Sequence, residues 1–351
     1  MYWPPIIKRA NMLLRVKGSE KWFKFASRVF LSSLNTSEKQ PFHKYTLEME
    51  IPHFKLVLGD TNPYFSTFSF AGKNLRGIST KLDFQVYRLN IVYGSVLSAV
   101  DGKKTEDGEL ERAGTFQRNS FGIRQEIGDK DFFVWGLDVV RTKDAISSLE
   151  KDDYINYNQY DEATIRETPK DNLILSTDFV AHPIRNRVKI GASISMSFYN
   201  NNIIGGAIPA DSLEEELDVS SLPFDPEKFE WLFIMNKNIQ PIKPGESNLA
   251  YELYGSVNIY RNFFSINYSQ VGPAFYSIIS ENMLNDIRKL SVTDNVILLK
   301  NRMILTGGIN VSSDNVTKTK QNTTDTVSLF ANVFIRPANL PYFRIGFNSS
   351  N

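Results

Sequence analysis

The chain of 351 residues contains no cysteine, which excludes disulfides, thiolate metal sites and a cysteine nucleophile. No apolar run approaches the length of a spanning helix, and the mean hydropathy is -0.27. That exclusion leaves barrels untouched, because only alternate residues of a barrel strand meet lipid. Neither sign of charge dominates. The formal net charge of +1 supplies no overall field for nucleic acid or for an anionic membrane surface. The first residues, MYWPPIIKRANMLLRVKGSEKWF, lack the basic start, continuous apolar core and small-residue cleavage site of a secretory signal. The last ones, FRIGFNSSN, stop while an alternating strand is under way, so the chain reads as a fragment.

Aromatic residues are plentiful, with 25 Phe and 15 Tyr, as interfacial girdles or large sheets require. Val188–Phe198 shows how they are used. Val188, Ile190, Ala192, Ile194, Met196 and Phe198 alternate with Lys189, Gly191, Ser193, Ser195 and Ser197. Side chains on a strand alternate faces, so one face is apolar and the other hydrophilic. The same alternation marks Ile78–Val86, with a turn expected at Tyr87-Arg88 before Leu89, Ile91 and Tyr93 resume the apolar face. It recurs in Phe121–Ile127 and Phe133–Val139, in the pairs after residue 248, and in Val327–Ile335. Turns are expected at Pro52-His53, Asp129–Asp131, His182-Pro183, Arg261-Asn262 and Lys300–Arg302. From His43 onward the connections alternate short and long, as in outer-membrane barrels, where tight turns close one end and long loops the other.

These patterns predict an all-β, antiparallel, up-and-down transmembrane β-barrel of about fifteen strands, incomplete or open. It occupies residues 1–351 as a single domain. Residues 1–20 are expected to be irregular or part of a missing upstream region. Residues 200–247 are expected to be a long loop insertion with a short helix, capped by Asp225 and started by Pro226.

The stretches Leu56–Ser79, Leu222–Asn238, Val271–Ser277 and Leu284–Asn315 resemble a group of uncharacterised outer-membrane β-barrel proteins of diderm (Gram-negative) bacteria. The first of them, with its Leu-Gly-Asp start and its Leu-Arg-Gly end, is more loosely similar to large export barrels. The resemblance implies a barrel and carries over no reaction or ligand.

Chemistry-bearing motifs are few. His43, His53 and His182 sit at strand ends or turns, and a His–Ser hydrolase would need one of them held against a serine. The acidic loop Asp152–Glu162 has oxygen ligands for calcium but neither the glycine nor the spacing of a calcium loop. No glycine pattern forms a phosphate cradle. The polar faces are more informative. Lys81, Asp83, Arg124, Glu126, Asp138 and Lys189 lie opposite apolar rows and are expected to line a pore with both signs of charge, favouring weakly selective passage. Leu82, Phe84, Leu89, Ile91, Trp135, Leu137, Ile190, Ile194 and Phe198 are expected to face lipid. The chain is read as a non-enzymatic channel, or a component of transport or export, in the bacterial outer membrane. Lipid and other envelope proteins are its expected partners, with no nucleic acid, no cofactor and no metal. The alternative is a soluble β-rich module that binds glycans or proteins, in which the apolar rows pack on a second sheet.

Overall fold

Eight antiparallel hairpins lie side by side in chain order. The structure is a computed structural model and describes residues 10–36, 39–106, 109–157, 163–217, 225–240, 247–280, 283–338 and 340–351. β1 (Asn11–Glu20) pairs with β2 (Phe23–Ser32), β3 (Lys44–Ile51) with β4 (Phe54–Thr61), and β5 (Leu75–Phe84) with β6 (Tyr87–Leu97). β7 (Lys103–Lys104) and β8 (Leu110–Arg112) make a small ribbon inside the next loop. β9 (Gln117–Asp129) and β10 (Phe133–Ala145) follow, then a second ribbon of β11 (Ile155–Tyr157) and β12 (Ala163–Ile165). The later hairpins are β13 (Asp171–Ile184) with β14 (Val188–Asn200), β15 (Leu249–Ile259) with β16 (Asn262–Val271), β17 (Ile287–Leu298) with β18 (Met303–Asp314), and β19 (Asp325–Ile335) with β20 (Phe343–Ser350). Apart from the ribbons, all of these strands belong to one 16-stranded up-and-down sheet.

Seven hairpins close through turns of two to four residues and the last through 336–342, all at one end of the sheet. The links between hairpins, the longest being 201–248, gather at the other end. The expected alternation of loop lengths therefore maps onto two ends of one wall. Among the described residues no ladder joins β1 to β20, and β20 is exposed along its length. The wall is nevertheless strongly curved. Loop 62–74 packs against Val92 on β6 and against Ala250 on β15, five strands further along. Strand spacing puts those two about 24 Å apart along the sheet. Phe65 and Phe68, which make those contacts, are three residues apart, at most about 11 Å along the chain, so the wall bends to bring both sites within their reach.

Several local expectations shift. Asn11–Glu20, expected to be irregular, is strand β1. Leu13 breaks its alternation, and its ten-residue pairing with β2 overrides that weak pattern. The turn expected at Tyr87-Arg88 lies at Gln85-Val86, with Gln85 at φ 30° and Phe84 paired with Tyr87. A displacement of two residues preserves the alternation, so the face assignments survive. The break expected at His182-Pro183 is a register shift inside β13, and the chain turns at 185–187 instead. Proline brings no ladder N–H, and a strand accommodates it at such an irregularity. The first hairpin after residue 200 turns at Tyr260-Arg261, one residue earlier than expected. The insertion holds helix α1 (Ala210–Leu217) and a 3-10 turn at Pro226–Phe229. The Asp225 side chain accepts the Glu227 N–H at 3.2 Å, as its position before Pro226 suggested.

Candidate functional site

The two faces of the wall are distributed in reverse of a soluble sheet. On β10, Trp135, Leu137 and Val139 are exposed while Gly136, Asp138 and Val140 are buried. On β14, Ile190, Ile194 and Met196 are exposed while Gly191, Ser193, Ser195 and Ser197 are buried. Leu137 is 42% exposed and Asp138, the next residue, 2%. Phe84 is also exposed, and its same-face neighbours Leu82, Leu89 and Ile91 are half-buried. Residues paired across adjacent strands share a face. The outer row therefore runs continuously through Leu82–Leu89, Leu89–Gln125, Gln125–Leu137 and Leu137–Thr177 to Ile194. Phe198 differs from its row. It is half-buried with its ring 6.3 Å from that of Phe233, so the insertion covers it. Among the described residues the other sheets are two-stranded ribbons, and neither is large enough to pack over the apolar rows.

The inner face carries a charge cluster built by register. Arg124 on β9 lies opposite Asp138 on β10, and Gly136 lies opposite both Glu126 and Asp178. The Arg124 guanidinium donates to Asp178 at 2.7 and 3.0 Å, to Glu126 at 2.8 Å, and to Asp138. Arg88 donates from Nε to the other Glu126 oxygen at 2.6 Å, and from Nη1 to the carbonyls of Gln85 and Gly128. Gly136 makes this geometry available. A Cβ there would sit 2.6 Å from Arg124 Nη2 and 2.7 Å from Asp178 Oδ1. Two arginines meet three carboxylates, so acids outnumber bases by one within the cluster.

Loop 62–74 is fastened onto this cluster from inside the wall. Its Ser69 hydroxyl donates to Asp138 at 2.7 Å and lies 2.7 Å from the Ser66 hydroxyl. Thr67 donates to Glu252 on β15 at 2.9 Å, and Asn267 donates to the other Glu252 oxygen at 2.5 Å. Phe65 and Phe70 pack with Leu75, Val92 and Val140, and Phe68 with Ile174 and Ala250. A second loop, 272–286, folds inward along its residues 272–280. Asn172 donates to the Tyr276 carbonyl and accepts the Ile278 N–H, and Arg118 donates to the Ile278 carbonyl at 3.0 Å. The loops meet edge to face at Phe68 and Phe275, with ring centroids 6.0 Å apart. On one side lies a cavity of about 540 Å³ bounded by Thr67, Arg124, Asp178, Lys189, Glu252 and Tyr254. On the other lies one of about 460 Å³ lined by Arg118, Lys170, Tyr199 and Tyr276.

The expected pore-lining residues thus divide. Arg124, Glu126 and Asp138 form the cluster, and Lys189 lines the same cavity with its ammonium 5.1 Å from the Tyr254 ring centroid. Asp83 pairs instead with Lys130 at 2.9 Å, at the turn end, and Lys81 is exposed on the strand beside it. Arg88, Asp178, Ser69, Glu252 and Tyr254 are added by the structure. The face parity of Asp178 with Ser193 was readable in the sequence, but the inward course of loop 62–74 was not. Among the described residues, no histidine is hydrogen-bonded to a serine or threonine hydroxyl. His43 accepts the Ser32 N–H and His53 contacts the Asp83 carbonyl, while His182 Nδ1 is buried without a partner. In the acidic loop, Asp152 pairs with Lys104 and Asp153 accepts the Gly102 N–H; residues 158–162 lie outside the described residues.

No family model matches this chain, and no curated protein matches it. Solved structures do. The outer membrane protein OprD from Pseudomonas aeruginosa is similar over 98% of this chain and 86% of its own, at 11% identity and a TM-score of 0.44. OccK10 (OpdN) from the same species is similar over 97% and 87%, at 7% identity and 0.48. OccAB3 from Acinetobacter baumannii is similar over 97% and 86%, at 9% identity and 0.44.

Proposed function

We propose that the chain forms the wall of an outer-membrane channel for small hydrophilic solutes, with loops 62–74 and 272–286 narrowing the passage. The observation that carries the reading is the reversal of faces, with Leu137 and Ile194 turned out and Asp138 and Ser195 turned in. Exposed apolar rows on a wall this broad are stable against lipid and are an aggregation liability against water. The cavities on either side of the loops supply hydrated space, and the mixed charges of the inner face favour polar solutes without strong ion selectivity. A soluble binding module would need a second sheet over those rows.

Fractionation and reconstitution test this together. The full-length protein is expected in the outer-membrane fraction, and planar bilayers receiving it are expected to show stepwise conductance of weak ion preference. A protein that stays in solution without detergent would overturn the membrane assignment. Membrane insertion without conductance would overturn the channel alone.

A further inference from the structure

The net charge of +1 conceals a separation of charge between the two ends of the wall. Loops 98–116, 146–170 and 201–248 contain twenty acidic and nine basic residues. At the opposite end, four successive hairpins carry basic residues and no acid in their turns: Arg185 and Arg187, then Arg261, then Lys300 and Arg302, then Arg336. All six are exposed. Arg185 is paired with Asp131 of the preceding hairpin at 2.5 Å. The other five take part in no ion pair among the described residues.

Their spacing is set by the sheet. The Arg187 carbonyl accepts the Asn258 N–H at 2.6 Å, the Arg261 carbonyl accepts Ile297 N–H at 2.9 Å, and the Arg302 carbonyl accepts the Arg336 N–H at 2.7 Å. Each arginine therefore marks the point where one hairpin is stitched to the next, and hairpin repeats lie about 10 Å apart. Apolar side chains stand at the same tips: Ile184, Tyr260, Leu299, Leu340 and Tyr342 are exposed, Tyr260 at 97%. The left-handed backbone of Tyr260, Arg261, Leu299 and Lys300 turns these side chains outward at the tip.

From this arc we infer that the turn end of hairpins β13–β20 is a binding band for anionic phospholipid headgroups. The inference rests on the membrane reading above. Aromatic and aliphatic tips seat at the boundary of headgroup and acyl chain, while unpaired arginines reach phosphates and donate in pairs. The band continues the apolar outer rows of the same strands, so a lipid held by its chains against those rows meets the arginines with its head. Each basic residue near such a surface contributes on the order of a fivefold preference for anionic lipid.

The test uses the full chain inserted in nanodiscs of equal parts phosphatidylcholine and phosphatidylglycerol, then extracted gently. Native mass spectrometry reads the lipids retained. The protein is expected to hold phosphatidylglycerol several-fold above its share of the bilayer. The variant Arg187→Gln/Arg261→Gln/Arg302→Gln/Arg336→Gln is expected to return that ratio to the bulk value, and the four Arg→Lys changes to keep most of the enrichment. Circular dichroism checks that each variant retains its sheet. A bulk ratio in the unmodified protein, or full enrichment in the glutamine variant, overturns the proposal. Failure of the unmodified chain to enter nanodiscs counts against the membrane reading instead.

Discussion

Arg124 illustrates how one side chain holds the inner face together. It is buried, and three carboxylates converge on it from Glu126, Asp138 and Asp178. Removing it leaves Glu126 to Arg88 and Asp138 to Ser69, and takes from Asp178 the cation it pairs with. Arg124→Met is therefore expected to destabilise the protein by about 3–5 kcal/mol, read from the shift of the urea unfolding midpoint in detergent. Arg124→Lys keeps the charge but loses the planar fork that reaches three acids, so a smaller loss is expected. Equal stability of Arg124→Met and the unmodified protein would mean that the cluster is hydrated and its contacts are incidental. The sequence placed Arg124, Glu126 and Asp138 on one face by parity alone. It did not announce Gly136, whose missing Cβ is what lets the guanidinium span two strands.

On the scale of an element, β10 offers the sharpest contrast, because neighbouring residues on it face opposite media. Leu137→Arg puts a charge on the outer row, and Ser193→Lys puts one on the inner face of nearby β14, where Ser193 lines the cavity beside Asp178 and Glu252. If the outer row meets hydrocarbon, Leu137→Arg costs roughly 2–4 kcal/mol near the bilayer midplane, measured by unfolding from lipid vesicles. Ser193→Lys keeps its charge on the cavity side, within reach of acidic neighbours, and is expected to cost far less. In a soluble sheet the order reverses, because Leu137 is the exposed position and Ser193 is buried. Alternation of this kind was legible throughout β5, β6, β10 and β14, since period-two patterning depends on parity and tolerates errors in the turns. Displacing the first turn from residues 87–88 to 85–86 changed no face. Elements with broken alternation were harder to read. β1 is held by its ladder to β2, and the bulge at His182-Pro183 looks like a turn from sequence because proline punctuates both.

For the whole molecule, the decisive contact is between parts far apart in the chain. Thr67, in the loop after β4, donates to Glu252 on β15, while Ser69 in the same loop donates to Asp138 on β10. No sequence pattern indicates that a loop rich in Phe and Ser turns back into the wall, because buried aromatics beside serines also suit an exposed recognition loop. Once inside, those three Phe rings supply the apolar contacts, and the hydroxyls add to the bonds that Arg124 and Asn267 already give the wall carboxylates Asp138 and Glu252. The loop thus ties β10 to β15 across the inner face, and in the proposed channel its attachment sets how much ion current flows. The absence of native cysteine permits a direct measurement. Thr67→Cys/Glu252→Cys, joined by a short bis-maleimide, holds the loop to the far wall. Thr67→Ala/Ser69→Ala releases both polar ties while leaving the Phe packing. Single-channel conductance is expected to stay at the unmodified level in the joined protein, with suppressed gating noise, and to rise or flicker in the released one. Identical current in both would show that the solute path avoids loop 62–74 and must run along the other side of the wall's interior.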